Sequence, residues 1–374
     1  MSRRWRGLTW DHPRGYAALR AAAERSELIE WHTHSLEGFE SAPIGQLCEQ
    51  YDLIVLDHPH LGEALAQDCL RPLDELLPAD ALQRIERDSV GRCYASYRMA
   101  GRQWALPLDA ATQVMALRAD LLARAGAGVP EQWQDVLALS RRTKRVALSL
   151  AGPHAFLTLL SICAALDPQC VLADGARWHS PHVVLQACEL LSELASLSPA
   201  SVRERNPIGL LQHMTSHEDV LLCPLVYGYV NYTRVQSGVP LAFHNAPRFA
   251  SGPPGSILGG TGVAISRRCR VDAPLLEHLQ WLLGETAQRG FIPEHDGQPS
   301  HLASWSDEAV NAASGNFYAN TVDTLQAASL RPRHDGYIAL QARASAQLRE
   351  GLRAGVSAAT LAAGLNDLCV PLTS

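Results

Sequence analysis

Two short corners carry the densest chemistry in the chain: Asp11-His12-Pro13 and Asp57-His58-Pro59-His60. A carboxylate beside an imidazole can hydrogen-bond, pass a proton or ligate a metal. Each corner follows a strand-like run, GLTW or YDLIVLD, and precedes a helical pattern. Proline at a helix start leaves neighbouring backbone N–H groups pointing outward, where they favour a carboxylate or phosphate. Arg14 adds a planar fork able to clamp such a group bidentately. Two readings stand side by side: the corners touch a ligand, or Asp and His cap helices and satisfy turns. The aspartates with His12, His58 and His60 would hold a metal only if the two loops met. His-rich loops are common in a chain with 15 histidines, and no metal or other cofactor is expected.

Other residues join this set by position. Trp10 adjoins the first corner and can stack on a ligand or cover a hinge. Tyr227 and Tyr229, with Asn231 and Tyr232, end the strand-like run VLLCPLVYGYV. Their faces suit a sugar or an apolar ligand, or they pack in a core. Asp109 and Thr112 flank the run ALPLD and can bind a ligand or brace a hinge. Gly259, Gly260 and Gly262 offer backbone N–H groups, but GGTG has neither P-loop nor dinucleotide spacing. His213 and His217 stand four apart without the H-E-x-x-H order, so they are expected on a solvated helix face. Trp305 is expected to pack. No G-x-S-x-G elbow and no cysteine in a nucleophile context is present, so no catalytic residue is assigned.

The elements that must hold these residues follow from patterning. At 374 residues the chain exceeds one usual hydrophobic core, so two domains are expected. A hydrophobic fraction of 47% and a net charge of −6 fit a globular protein without a field for nucleic acid. No apolar run is long enough to span a bilayer. The opening MSRRWRGLTWDHPRG shows no apolar leader region. Nine cysteines without C-x-x-C spacing are expected as inert core thiols rather than disulfides or metal ligands. Strands at GLTW, LIEWHTHSL and YDLIVLD alternate with helices, which implies βαβ units and a mostly parallel sheet. Residues 120–200 read as largely helical, with Leu121 and Leu122 on one face, Gly126 as a stop and Pro130 in the next helix's first turn. Ala105–Asp109 and Val263–Ser266 are expected as strands that cross between lobes. Residues 247–262 form a glycine- and proline-rich loop, and residues 336–368 are helical.

Several of these stretches resemble the extracellular solute-binding proteins (family 1) of ABC importers. The resemblance rests on Asp52–His58, on CLRPLDELLP at 69–78 and on ALPLD at 105–109. It continues through RADLL with Ala125-Gly126, PEQWQDVL at 130–137 and GGTGVAIS at 259–266, in the family's order and spacing. It implies an α/β, two-lobed, type II periplasmic-binding-protein-like fold. Each lobe would be a mostly parallel sheet flanked by helices, joined by a hinge of crossing strands. The first lobe is expected over 1–107 plus 263–305, and the second, more helical lobe over 108–262 plus 306–374. The implied function is capture of a small polar solute, a carbohydrate or small organic acid, in the cleft between lobes. Delivery to ABC permease subunits follows by hinge closure. The ligand set would be Trp10, Asp11, His12, Arg14, Asp57, His58, Asp109, Tyr227, Tyr229, Gly259 and Gly260. The protein would be a monomer, periplasmic by resemblance, with a cytoplasmic location left open by the missing leader and the cysteines. The alternative is a cytosolic ligand sensor, or an enzyme on the same scaffold using the Asp and His residues.

Overall fold

Apolar runs bounded by helix starts set the first sheet. Its strands are β1 (Trp5–Trp10), β2 (Ile29–His34) and β3 (Leu53–Leu56). The computed structural model describes residues 4–170, 172 and 178–369. A two-residue pair, β4 (Arg98–Met99) and β5 (Arg102–Gln103), forms a small hairpin. It leads into β6 (Ala105–Asp109). The remaining strands are β7 (Gln113–Leu117), β8 (Leu222–Tyr227), β9 (Ala242–His244) and β10 (Thr261–Ile265).

Two compact units divide the chain. Unit 1 comprises Met1–Ala111, Gly259–Ala313 and Arg333–Ile338; unit 2 comprises Thr112–Leu258, Ser314–Pro332 and Ala339–Ser374. Unit 1 is built on a five-stranded sheet in the order β2-β1-β3-β10-β6. Strands β2, β1 and β3 are parallel, and β10 runs antiparallel to both its neighbours. The interior strands β3 and β10 and the edge strand β6 are buried at every residue. This is why they read as unbroken apolar runs, whereas edge strand β2 is buried only at Ile29 and Trp31. The expected crossing strands, β6 and β10, are therefore neighbours inside one sheet. The chain leaves unit 1 only after Ala111 and returns at Gly259.

Helices of unit 1 begin where prolines and caps dictate. Helix α1 (Pro13–Ser26) starts on the first corner, and α2 (Leu36–Ser41) is capped by the Ser35 hydroxyl accepting from Gly38 N–H. Helices α3 (Ile44–Gln50) and α4 (Leu61–Ala66) pack Ile44, Cys48, Leu61 and Ala64 against Ile54, Leu56 and Ala264. Gly62 of α4 lies against the backbone of residues 333–335: a Cβ there would sit 1.9 Å from the Arg333 carbonyl oxygen. Arg333 is buried and donates to the carbonyls of Ala95, Ser96 and Arg98 at 3.1, 2.8 and 2.7 Å.

Unit 2 is the more helical. Helix His154–Leu166 is buried at every residue but the last, as a helix apolar all round must be. Around it pack helices Trp133–Thr143, Pro181–Leu197 and Ala358–Cys369, with Trp133, Phe156, Leu191 and Leu365 in one core. The sheet is β8-β7-β9, and both pairings are antiparallel. This differs from the mostly parallel sheet expected for the second lobe: β7 pairs with two strands that run against it. Helix Trp133–Thr143 also begins later than expected. Pro130 lies before it, and Gln132 with Asp135 forms a capping box.

Candidate functional site

The register of the unit 1 sheet gathers the first set of predicted residues at one end. Trp10 of β1 pairs with His34 of β2, Leu56 of β3 with Gly262 of β10, and Asp109 of β6 with Thr261. Trp10, the Asp57 corner, Asp109 and the Gly259-Gly260 turn thus share the carboxyl end of the parallel strands. Ligands of open α/β sheets bind at such ends.

Both corners cap. His12 is extended and its Nδ1 accepts from Arg14 N–H at 3.1 Å, closing the first turn of α1. The Asp57 carboxylate accepts from His58 N–H at 2.9 Å over the short 3-10 turn His58–His60. The cap fixes the charge of His12. A ring nitrogen that accepts a backbone N–H carries no proton, and burial, followed by the Arg14 guanidinium, lowers its pKa from 6.5 to about 3. The unfolded chain therefore takes up a proton between pH 6.5 and 3 that the folded chain refuses. Stability then falls as pH drops through that window. We expect His12 to account for about 2 kcal/mol of lost stability between pH 6.5 and 5. Urea denaturation at the two pH values checks this. The loss should shrink in His12→Asn, which keeps a capping acceptor but cannot be protonated; an unchanged loss would assign it to other groups.

Arg14 does not reach outward. Its Nε and Nη2 donate to Asp109 Oδ2 and Oδ1 at 2.7 and 2.6 Å, with both side chains under a tenth exposed. The expected anion clamp is engaged by a carboxylate of the same unit. Trp10 lies beneath this pair. Its ring stacks on His12 (5.4 Å, 9° between planes), and the Arg14 guanidinium sits 5.5 Å from its centroid. His58 is fully buried and meets Tyr97 edge-on, while the Tyr97 hydroxyl donates to Leu56 O. Gly260 takes a φ of +85°, and a Cβ there would lie 2.5 Å from the Asp109 carbonyl. Gly259 N–H donates to Ala111 O at 2.8 Å. His12, Arg14, His58 and Asp109 thus form a buried frame, while Asp11 stays exposed and Asp57 half-buried.

Residues absent from the sequence reading complete this end. Half-buried His34 and Phe39 stand edge to face at 6.2 Å, and Phe39 lies 5.8 Å from Trp10. Alternation within IEWHTH placed His34 on β2, but nothing in its spacing marked it. Buried Gln288, Gln298 and Ser300 hold the end of β6. Gln298 Nε2 donates to Ala110 O at 2.7 Å, Ser300 Oγ to Pro107 O at 2.6 Å, and Gln288 Oε1 accepts from Ser300 N–H. No local motif announces a brace made from residues this far along the chain.

The tyrosines belong to unit 2. Tyr227 ends β8 and meets His154 edge-on at 5.8 Å; Tyr229 is buried and meets Tyr232 at 6.3 Å. Thr112 is also buried. Its hydroxyl lies 2.6 Å from Ser256 Oγ and donates to Ile257 O, joining the two stretches by which the chain enters and leaves unit 2. His213 corrects another expectation. It is buried, 2.7 Å from Asp219 Oδ1, and stacked on His217 at 4.1 Å rather than solvated. Trp305 packs as expected, donating to Pro299 O. Eight of the nine cysteines are buried and Cys69 is partly so.

Residues 45–162 match the family model of the bacterial extracellular solute-binding proteins. No curated protein sequence matches. Solved structures align over nearly the whole chain. An ABC transporter solute-binding protein from Agrobacterium radiobacter, in complex with ribitol, is 18% identical, with 99% of each chain covered and a TM-score of 0.79. One from Thermotoga lettingae, bound with alpha-D-tagatose, is 14% identical, covering 98% of this chain and all of that one, at 0.77. UgpB from Mycobacterium tuberculosis, in complex with glycerophosphocholine, is 14% identical, covering 100% and 99%, at 0.77. The chain therefore has the two-unit α/β fold of these ABC transporter solute-binding proteins, and its residues 45–162 are similar to the bacterial extracellular solute-binding protein family.

Proposed function

We propose that this chain is a binding protein for a small, uncharged, hydroxyl-rich solute, a sugar or polyol, and that it catalyses no reaction. One observation carries the choice of ligand charge. At the carboxyl end of the unit 1 sheet the carboxylates Asp11 and Asp57 are accessible, while Arg14 is engaged by Asp109. Carboxylates accept hydrogen bonds from hydroxyls, and the aromatic pair His34 and Phe39 offers flat surface for a sugar's C–H face. An anion would meet repulsion there. Ribitol and tagatose in similar structures support the same class. His12, Arg14, His58 and Asp109 then act beneath the ligand, holding the corners in place. Tyr227 and Tyr229 remain the unit 2 candidates, with Gly259 and Gly260 supplying backbone groups. Delivery to an ABC permease in the periplasm by hinge closure completes the proposal, by analogy with the family.

A thermal-shift panel tests it. Neutral polyols and sugars, organic acids, phosphates and amino acids are compared at equal concentration. A ligand at a hundred times its Kd stabilises by about 2.7 kcal/mol. We expect stabilisation by a member of the neutral set. Asp57→Asn and Phe39→Ala should weaken it at least tenfold while the melting temperature without ligand stays close to that of the parent. Stabilisation by anions alone, or unchanged affinity in both variants, would overturn the assignment.

A further inference from the structure

A second constellation lies in unit 2, remote in sequence from the residues assigned above. Asp167, Cys170 and His179 bring one carboxylate oxygen, one thiol sulfur and one ring nitrogen within 4.8 Å of one another. Among the described residues no other group of three such side chains meets this separation, and the two Asp-His-Pro corners do not. Asp167 ends helix His154–Leu166 and accepts, through its carbonyl, from Cys170 N–H at 3.1 Å. His179 immediately precedes Ser180, the cap of helix Pro181–Leu197. The three side chains therefore sit on the connection between two core helices.

His179 is the observation that demands a partner. It is 2% exposed, and neither ring nitrogen has a hydrogen-bond partner among the described residues. A buried imidazole without a partner forfeits the hydrogen bonds it makes in water. Trp178 contacts its ring edge-on at 5.8 Å and satisfies neither nitrogen. The surroundings are rich in sulfur: Cys163, Cys170, Cys188 and Cys369 belong to one core cluster, and burial, then the nearby Cys188, Cys170, Asp167 and Cys369, pushes the Cys163 thiol up.

We propose that Asp167, Cys170 and His179 bind a divalent transition ion, zinc being the best fit. One carboxylate, one thiolate and one imidazole are the donor types zinc accepts, with a fourth tetrahedral position left for water. Ligand atoms around tetrahedral zinc stand roughly 3.5 Å apart, so a small contraction from the observed separation completes the site. On binding, the Cys170 thiol loses its proton to solvent and the sulfur coordinates as thiolate. The ion then staples the connection between the two helices.

Untagged full-length protein, stripped with a chelator, is titrated with cobalt and then zinc. One equivalent of cobalt should give visible d–d bands and a near-ultraviolet thiolate-to-cobalt band, and zinc should bleach both. Cys170→Ser should abolish the thiolate band, and His179→Gln should weaken binding at least tenfold, with circular dichroism confirming that each variant folds. Zinc should raise the melting temperature of the parent but not of Cys170→Ser. Absence of a thiolate band in the parent overturns the proposal whatever the variants do. So does its persistence in Cys170→Ser, which would assign the sulfur to another thiol.

Discussion

Replacing Arg14 with alanine is expected to destabilise unit 1 by about 3–5 kcal/mol, because it strands the Asp109 carboxylate in the core. The two side chains are 4% and 7% exposed and joined by two short parallel hydrogen bonds. Removing the cation leaves a charge with neither water nor a counterion. The geometry makes the pair hard to replace by halves: Arg14 belongs to the first turn of α1, and Asp109 is the last residue of β6. Arg14→Lys should lose much of the same energy, since an ammonium cannot reproduce the fork. Arg14→Met combined with Asp109→Leu should recover most of it, because two apolar groups cost neither desolvation nor an orphaned charge. Chemical denaturation of the three variants reads this out. A single alanine variant within about 1 kcal/mol of the parent would show that the pair is not buried as described.

The second large effect is expected at Gly62, where two influences oppose. Alanine is the better helix former by about 1 kcal/mol, so propensity alone predicts stabilisation. Sterics predict the reverse. The new Cβ would overlap the Arg333 carbonyl oxygen at 1.9 Å and His334 at 2.3 Å, both backbone atoms that no rotamer change can move. The 333–338 segment must lift, and Arg333 then loses the three carbonyls that receive its guanidinium. We expect Gly62→Ala to cost about 3 kcal/mol and to speed tryptic cleavage after Arg333. Unchanged stability with unchanged cleavage would mean that the segment docks elsewhere.

What the sequence made legible follows from how locally each feature is encoded. β1, β3 and β10 were legible because a strand buried on both faces needs an unbroken apolar run, and GLTW, LIVL and TGVAI supply one. The corners were legible because aspartate, histidine and proline at a strand end have few other uses. The capping geometry at His12 and Asp57 was one of two readings the residues allowed, and nothing local chose between it and ligand contact. The partner of Arg14 was not legible: it lies 95 residues away, and no spacing rule links a helix start to a strand end at that distance. The brace formed by Gln288, Gln298 and Ser300 was hidden for the same reason. The antiparallel sheet of unit 2 was missed because β7, QVMAL, pairs with β8 and β9, more than 100 residues further along the chain, and no hairpin turn announces pairing at that distance. His213 was misplaced because i,i+4 spacing reports a shared helix face without saying whether that face meets water.

The interleaving of the two units bears on how the polypeptide is made. Strand β6 ends at Asp109, yet its neighbour β10 begins at Thr261, so the ribosome must add roughly 150 residues before the first sheet can close. Throughout that interval the flank of β3 is a bare apolar edge, open to mispairing. Unit 2 is itself unfinished until the last helix emerges. A nascent chain of this kind therefore carries an unpaired sheet edge until its second half arrives, and neither unit can be expressed by simple truncation at one boundary.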